Sequence, residues 1–404
     1  MAEYYKTTLE RNSYHMKKQL NTLNLLKGIG ILMVIMVHNR HFIMKDMSGL
    51  RPLINYGQMG CQLFFFVSGM ALCYSWEHLA SRYQISLGTL TLKQRASCSG
   101  QFILRRYLRL APGFILILCV NYLLNIIFMD VLDHSPGFII NRKPAAIITN
   151  LLFLHGFFPD YINNVFPGGW YIGTTFILYA LFPLLMFLFE KMYALKRPLI
   201  LAIPVLLLIL NVIFVRHMTK VTQYELYPYN NSFLYYFFAN QLPCFSLGIL
   251  LYFQEKTNFS YKCPLPVSAA LFAVTCYGSI RLYLMPEQNF LYSVLPSLVG
   301  FSFYWLAVSL IHAELHKKTD TKHIFTDFIA SCGKNSYGMY LVHAFISWYA
   351  IKDLMWFLTL KGYDYPDLTL YLILYIPSVL AIYGLGLCMK RILDSIDRKL
   401  RPSG

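Results

Sequence analysis

The stretch Lys27-Gly28-Ile29-Gly30-Ile31-Leu32-Met33-Val34-Ile35-Met36-Val37-His38 opens the first long apolar run of this 404-residue chain. Read as a helix rising ~1.5 Å per residue, it sets the lysine and the histidine ~16 Å apart along one axis. With Lys27 at a membrane surface, His38 falls close to the bilayer midplane. An ionisable side chain is costly there and marks a functional site by default. The pair therefore points both to a membrane bundle and to the first place to look for acid–base chemistry.

Outward from this run, the composition agrees. Hydrophobic residues make up 57% of the chain and charged residues 13%, against ~25% charged in a soluble domain. Runs able to cross ~30 Å of hydrocarbon fall near 25–43, 60–77, 110–129, 170–189, 198–215, 233–253, 264–283, 290–311, 336–356 and 368–389. The run from Ala145 to Phe158 is shorter and holds Asn150 and His155, which suits a re-entrant or interfacial segment. The expected fold is an all-α integral membrane protein of about ten transmembrane helices plus that short segment. It forms one membrane domain over 1–404, with no appended soluble domain.

Charge sets the orientation. With both termini inside, segments 1–24, 78–109, 190–197, 254–263, 312–335 and 390–404 face the cytoplasm. Together with Lys27 at the border they hold most of the 35 lysines and arginines, as the positive-inside rule requires. Met1 to Asn21 has no signal-peptide pattern, so the first span does the targeting. The expected location is the cell membrane, inner or plasma, crossed many times.

The same numbers exclude several classes. The formal net charge of +16 sits in short loops, where topology and anionic lipid account for it without a nucleic-acid partner. Nine scattered cysteines with no C-x-x-C pair read as apolar fillers, and neither a disulfide framework nor a metal site is expected. No Asp or Glu falls at mid-span. That counts against a proton-driven pump, and it leaves His38 without an acidic partner.

Four further stretches carry polar groups into or beside the spans. Gly57 to Gly69 (GQMGCQLFFFVSG) starts the second span. Its small residues allow close packing, and Ser68, expected at the depth of His38, suits a cavity wall equally well. Arg105, Arg106 and Arg109 follow at the cytoplasmic entrance of the third span. Helical spacing presents them together, as a topology signal or as a site for a multiply phosphorylated ligand. Trp170 and Tyr171 near the outer surface suit an interfacial belt or a platform for a sugar ring. Lys334 to His343 (KNSYGMYLVH) enters the ninth span and brings His343 ~13 Å deep, a depth similar to that expected for His38.

Taken in order, these stretches resemble membrane-bound acyltransferase family 3, the multi-span O-acyltransferases of bacterial surface polysaccharides. Lys27 and His38 resemble the basic-x10-His signature, where Arg is usual. Gly60 to Gly69 resembles the G-V-x-L-F-F-V-x-S-G segment, and Arg105, Arg106, Arg109 and Pro112 match R-R-x-x-R-x-x-P. Asn150 to Gly156 and Trp170 to Pro183 look like the central block. Ser336 to His343 matches S-Y-x-x-Y-L-x-H. Two positions depart: Thr175 stands where the central block carries a glutamate, and Lys27 keeps the charge but loses arginine's bidentate fork.

The resemblance implies an acyl-CoA-dependent O-acyltransferase, with acetyl-CoA the commonest donor and a hydroxyl of a carbohydrate or lipid-linked glycan as acceptor. It implies Lys27, Arg105, Arg106 and Arg109 as the donor's phosphate site and His38 as general base. His343 and Ser68 assist at the catalytic centre, and Trp170, Tyr171, Tyr337 and Tyr340 contact substrate. No metal takes part in this scheme, and the bilayer is the remaining partner. The alternatives are a transporter of small anions or glycan precursors, and a non-catalytic acyltransferase-like membrane protein.

Overall fold

A computed structural model describes residues 2–43, 51–81, 92–131, 140–221, 233–284, 294–316, 323–362 and 367–400. Among them every regular element is helical, as expected. In chain order the principal helices are α1 (Ala2–Ile43), α2 (Gly60–Ser81), α3 (Leu92–Ile126), α4 (Pro144–Leu151), α5 (Gly169–Leu195), α6 (Ala202–Val221) and α7 (Phe238–Glu255). They continue as α8 (Leu265–Tyr283), α9 (Leu295–His316), α10 (Ile324–Lys334), α11 (Ser336–Phe345), α12 (Lys352–Leu360) and α13 (Asp367–Leu400).

Nine segments among the described residues are long and apolar enough to cross a membrane, the first being Gln19–Arg40 and the last Leu368–Lys399. They cover nine of the ten expected spans. The exception is 336–356. It is helical, running from α11 through a π-helical turn at Ile346–Ile351 into α12, but it is not among the nine. Tyr337, Tyr340, His343, Lys352 and Asp353 make it more polar than its neighbours. The 145–158 segment forms only the eight-residue α4 and a short 3-10 turn at His155–Phe157.

Two contacts without side chains on one partner fix how the bundle closes around the site. A Cβ on Gly28 would lie 1.9 Å from the carbonyl oxygen of Ile329, and one on Gly333 would lie 1.8 Å from that of Asn24. Helices α1 and α10 thus touch backbone to backbone, the arrangement that drives association where lipid removes the hydrophobic driving force. Helix α2 runs antiparallel to α1, with Gly60 against Gly30 and Val34 and the Tyr74 hydroxyl donating to Gln19 Oε1 at 2.8 Å.

A collar of polar contacts marks one end of the bundle. The amide of Gln19 donates to Glu255 Oε2 at 3.3 Å, Asn21 donates to Glu314 at 2.9 Å, and Lys256 pairs with Glu77 at 2.7 Å. Lys27 is eight residues beyond Gln19, ~12 Å inward along α1. His38 is two residues from Arg40, the far end of that apolar segment. Within the apolar segment Gln19–Arg40, Lys27 is thus eight residues from the collar end and His38 two residues from the other.

Candidate active site

The collar end opens into a cavity of about 510 Å³ between α1, α2, α3, α5, α10, α11 and α13. Five cationic side chains line it, Lys27, Arg106, Arg109, Lys334 and Lys390, and among the described residues no carboxylate does. Arg106 also lies over the Phe102 ring, 5.0 Å from its centroid. So many like charges facing one space make a binding site for a polyanion.

Inward, the cavity ends on aromatic rings. Phe64, Tyr171 and Tyr340 line it, with the Tyr171 and Tyr340 centroids 4.6 Å apart and those of Phe64 and Tyr171 5.7 Å apart. Tyr340 in turn packs on His343 at 4.9 Å, and His343 on His38 at 5.0 Å. The histidine that α1 carries and the one that α11 carries thus meet behind the aromatic floor.

His343 is fully buried. Its Nδ1 is hydrogen-bonded to the carbonyl oxygen of Tyr340. A carbonyl only accepts, so Nδ1 carries the proton and Nε2 the lone pair. Among the described residues that Nε2 has no hydrogen-bond partner. A neutral imidazole with its acceptor nitrogen free, 5.0 Å ring to ring from a second imidazole, is equipped to take or hold a proton.

A tight turn before α5 walls the other side. Gly168 has φ of +83°, a conformation that favours glycine. Its N–H donates to Asn163 Oδ1 at 3.1 Å, and its carbonyl accepts from the Tyr340 hydroxyl at 2.8 Å. A Cβ here would lie 2.9 Å from that hydroxyl and 3.9 Å from His343 Cε1. His155 Nε2 donates to the next carbonyl, Gly169, at 3.0 Å, so the short 155–157 turn holds this loop against the histidines.

A family model described as an acyltransferase domain matches residues 20–387, nearly the whole chain. The chain belongs to membrane acyltransferase family 3. No curated protein and no solved structure matches it. Membership makes it a membrane acyltransferase, and the cavity and histidine pair lie within the matched residues, apart from Lys390.

The structure brings most of the expected acyltransferase residues together, in two groups. Lys27, Arg106, Arg109, Tyr171, Tyr337 and Tyr340 line the cavity, with the Tyr337 hydroxyl donating to the carbonyl of Leu110 at 2.6 Å. His38 and His343 form the second group. Arg105 is exposed and lines no part of the cavity, because helical periodicity turns it ~100° away from Arg106, with Arg109 between them. Trp170 is buried, stacked on Tyr236 at 4.4 Å between centroids, and neither forms a surface belt nor lines the cavity.

Ser68 is placed differently from the expectation of matched depth. Gly60 packs level with Gly30, and the antiparallel α2 carries Ser68 eight residues toward the collar while α1 carries His38 eight residues away. At ~1.5 Å per residue the two are ~24 Å apart along the bundle. Ser68 lines the cavity, its Oγ 3.4 Å from the Tyr179 hydroxyl.

Lys334 and Lys390 were missed as site residues. Each borders an apolar run at the cytoplasmic side of the expected topology, so each reads as an orientation signal. The usable hint was that the S-Y-x-x-Y-L-x-H motif starts two residues after Lys334. Thr175, the departure from the family pattern, also lines the cavity, where a glutamate would place a negative charge among the cations.

Proposed function

We propose that this acyltransferase moves an acyl group, acetyl above all, from a cytoplasmic acyl-CoA to a hydroxyl of an extracytoplasmic or lipid-linked carbohydrate. The observation that carries the reading is the carboxylate-free cavity with five cations, ending on Tyr340, behind which His343 and His38 meet. In this reading the collar end faces the cytoplasm, both termini lie there, and the membrane is the cell membrane. Arg106, Arg109 and Lys27 hold the donor's diphosphate. Arg105 has no part in the site.

The path lengths agree. Lys27 and His38 are ~16 Å apart along α1. An extended pantetheine arm, comparable to five residues at ~3.3–3.6 Å each, spans on the order of 15–20 Å. The thioester reaches the histidines while the phosphates stay with the cations.

His38 acts as general base. Its imidazole takes the acceptor's hydroxyl proton as that oxygen attacks the thioester carbonyl. The carbon–sulfur bond then breaks, the thiolate leaves and recovers the proton from the imidazolium, and the products are an ester and free coenzyme A. His343 positions His38: with Nδ1–H held by Tyr340, its Nε2 lone pair is available to accept an N–H from the neighbouring imidazole during turnover, leaving the other His38 nitrogen basic. Tyr171, Tyr337 and Tyr340 guide the acyl arm.

The test is acyl transfer from labelled acetyl-CoA by purified wild-type protein, followed by mass spectrometry of surface glycans with and without the chain. His38→Ala is expected to abolish transfer while membrane insertion and donor binding persist. Transfer surviving in His38→Ala would remove the base assignment; glycans unchanged on deletion would remove the acceptor class.

A further inference from the structure

A second cavity, of about 360 Å³, adjoins the first at the collar end. Arg109, Lys334, Tyr337 and Lys390 line both, and so form the wall between them. Away from that wall the second cavity is made by Leu108, Pro112, Leu393 and Ile396, together with Asp394 and Asp397. The transfer reaction proposed above uses only the first cavity.

Helix register explains why the wall is cationic. Gly386 packs on Gly338: a Cβ on Gly338 would lie 2.5 Å from the Gly386 carbonyl oxygen. Helices α11 and α13 are antiparallel there. Lys390, four residues after Gly386, therefore stands level with Lys334, four residues before Gly338. Asp394 and Asp397 follow Lys390 at four and seven residues, on the same face of α13.

The composition of this second space is unlike that of the first. Its carboxylates repel a phosphate and accept hydrogen bonds from an amine, while its apolar side chains suit a flat ring. A phosphate entering it must sit against the shared cations, with the ring toward the aspartates. Coenzyme A presents this combination at its outer end, where an aminopurine and a 3′-phosphate share one ribose. The pantetheine arm must point inward to reach the histidines, which sends that end outward.

We infer that the second cavity holds the adenosine 3′-phosphate of the acyl-CoA donor, with Lys390 and Lys334 clasping the 3′-phosphate and Asp394 and Asp397 beside the adenine amine. This rests on the acyl-CoA reading given above. The cations facing the first cavity remain for the diphosphate, so the donor's two phosphate sites are separated by the wall residues that contact both. A lipid headgroup presents a phosphate too, but no aminopurine.

The experiment compares coenzyme A with 3′-dephospho-coenzyme A, which lacks only that phosphate. Full-length protein in phosphatidylcholine nanodiscs is titrated with each ligand. Wild-type protein is expected to prefer coenzyme A by about tenfold, the weight of one charge-assisted contact. Lys390→Gln is expected to bring the ratio within about twofold by weakening coenzyme A alone, and Lys390→Arg to retain it. Should Lys390→Gln fail to fold, Lys334→Gln is read by the same ratio. Equal binding of both ligands by wild type overturns the inference, as does a Lys390→Gln variant that loses both equally. Equal binding combined with weaker coenzyme A binding in phosphatidylglycerol discs assigns the cavity to a lipid headgroup instead. Binding of neither ligand by wild type overturns the acyl-CoA reading itself, so the two failures are separable.

Discussion

Lys27→Met should make the ligand-free protein more stable and the donor complex weaker. Lys27 lies ~12 Å inside the span measured from Gln19, and the charges acting on it are those of Arg109 and Arg106. None of the ion pairs among the described residues includes it. Like charges sharing one cavity repel by on the order of 1–2 kcal/mol at an effective dielectric of 20, before screening. Water in the open cavity reduces this to below ~1 kcal/mol. Methionine keeps the length and the apolar stem and removes the charge. A gain of that size raises the melting temperature by ~1–2 °C in a chain of this length. The donor loses one charged contact, ~1.5–3 kcal/mol, or roughly 10- to 150-fold in Kd. Thermal melts in nanodiscs, with and without coenzyme A, read both changes together. A wild-type protein at 100 Kd of ligand gains ~2.7 kcal/mol, most of which Lys27→Met should forfeit. Lys27→Arg should restore it. A Lys27→Met protein that melts lower without ligand, or binds coenzyme A as tightly as wild type, would refute the reasoning.

The arginine cluster should divide by position. Arg105→Ala is expected to leave the donor KM within about twofold, because Arg105 is exposed away from the cavity. Arg109→Ala, on the wall of both cavities, should raise KM by at least about tenfold; steady-state kinetics with acetyl-CoA decides between them. Gly28→Ala would drive a methyl into the Ile329 carbonyl and should cost about 1–3 kcal/mol. It should also displace Lys27 beside it, so that melting temperature and donor affinity fall together, unlike the opposed changes in Lys27→Met.

What could be read in advance was what lies along one helix. The spacing of Lys27 and His38, of Arg106 and Arg109, and of Tyr337, Tyr340 and His343 is set by helical rise and periodicity, and the structure uses each of these groups together. What could not be read was register between helices. Ser68 was placed beside His38 by counting depth from each span's own end, but the Gly30–Gly60 contact decides the offset, and a sequence does not show which glycines meet. Lys334 and Lys390 failed for another reason: a cation at a helix end has the same pattern whether it orients the helix in the bilayer or faces a ligand. The 336–356 segment was legible as a helix, yet its polar residues, among them Tyr337, Tyr340, His343, Lys352 and Asp353, set it apart from the nine apolar crossings.

The floor formed by Phe64, Tyr171 and Tyr340 has a consequence for the cell's energy supply. In the proposed transfer from a cytoplasmic donor to an extracytoplasmic acceptor, the acyl group must pass without short-circuiting the membrane voltage. Rings packed this closely leave little room for a continuous file of water, and a vestibule lined with cations repels protons and metal cations. The enzyme can therefore work as an electrical insulator, and opening the floor would be felt first as a leak and only afterwards as lost acylation.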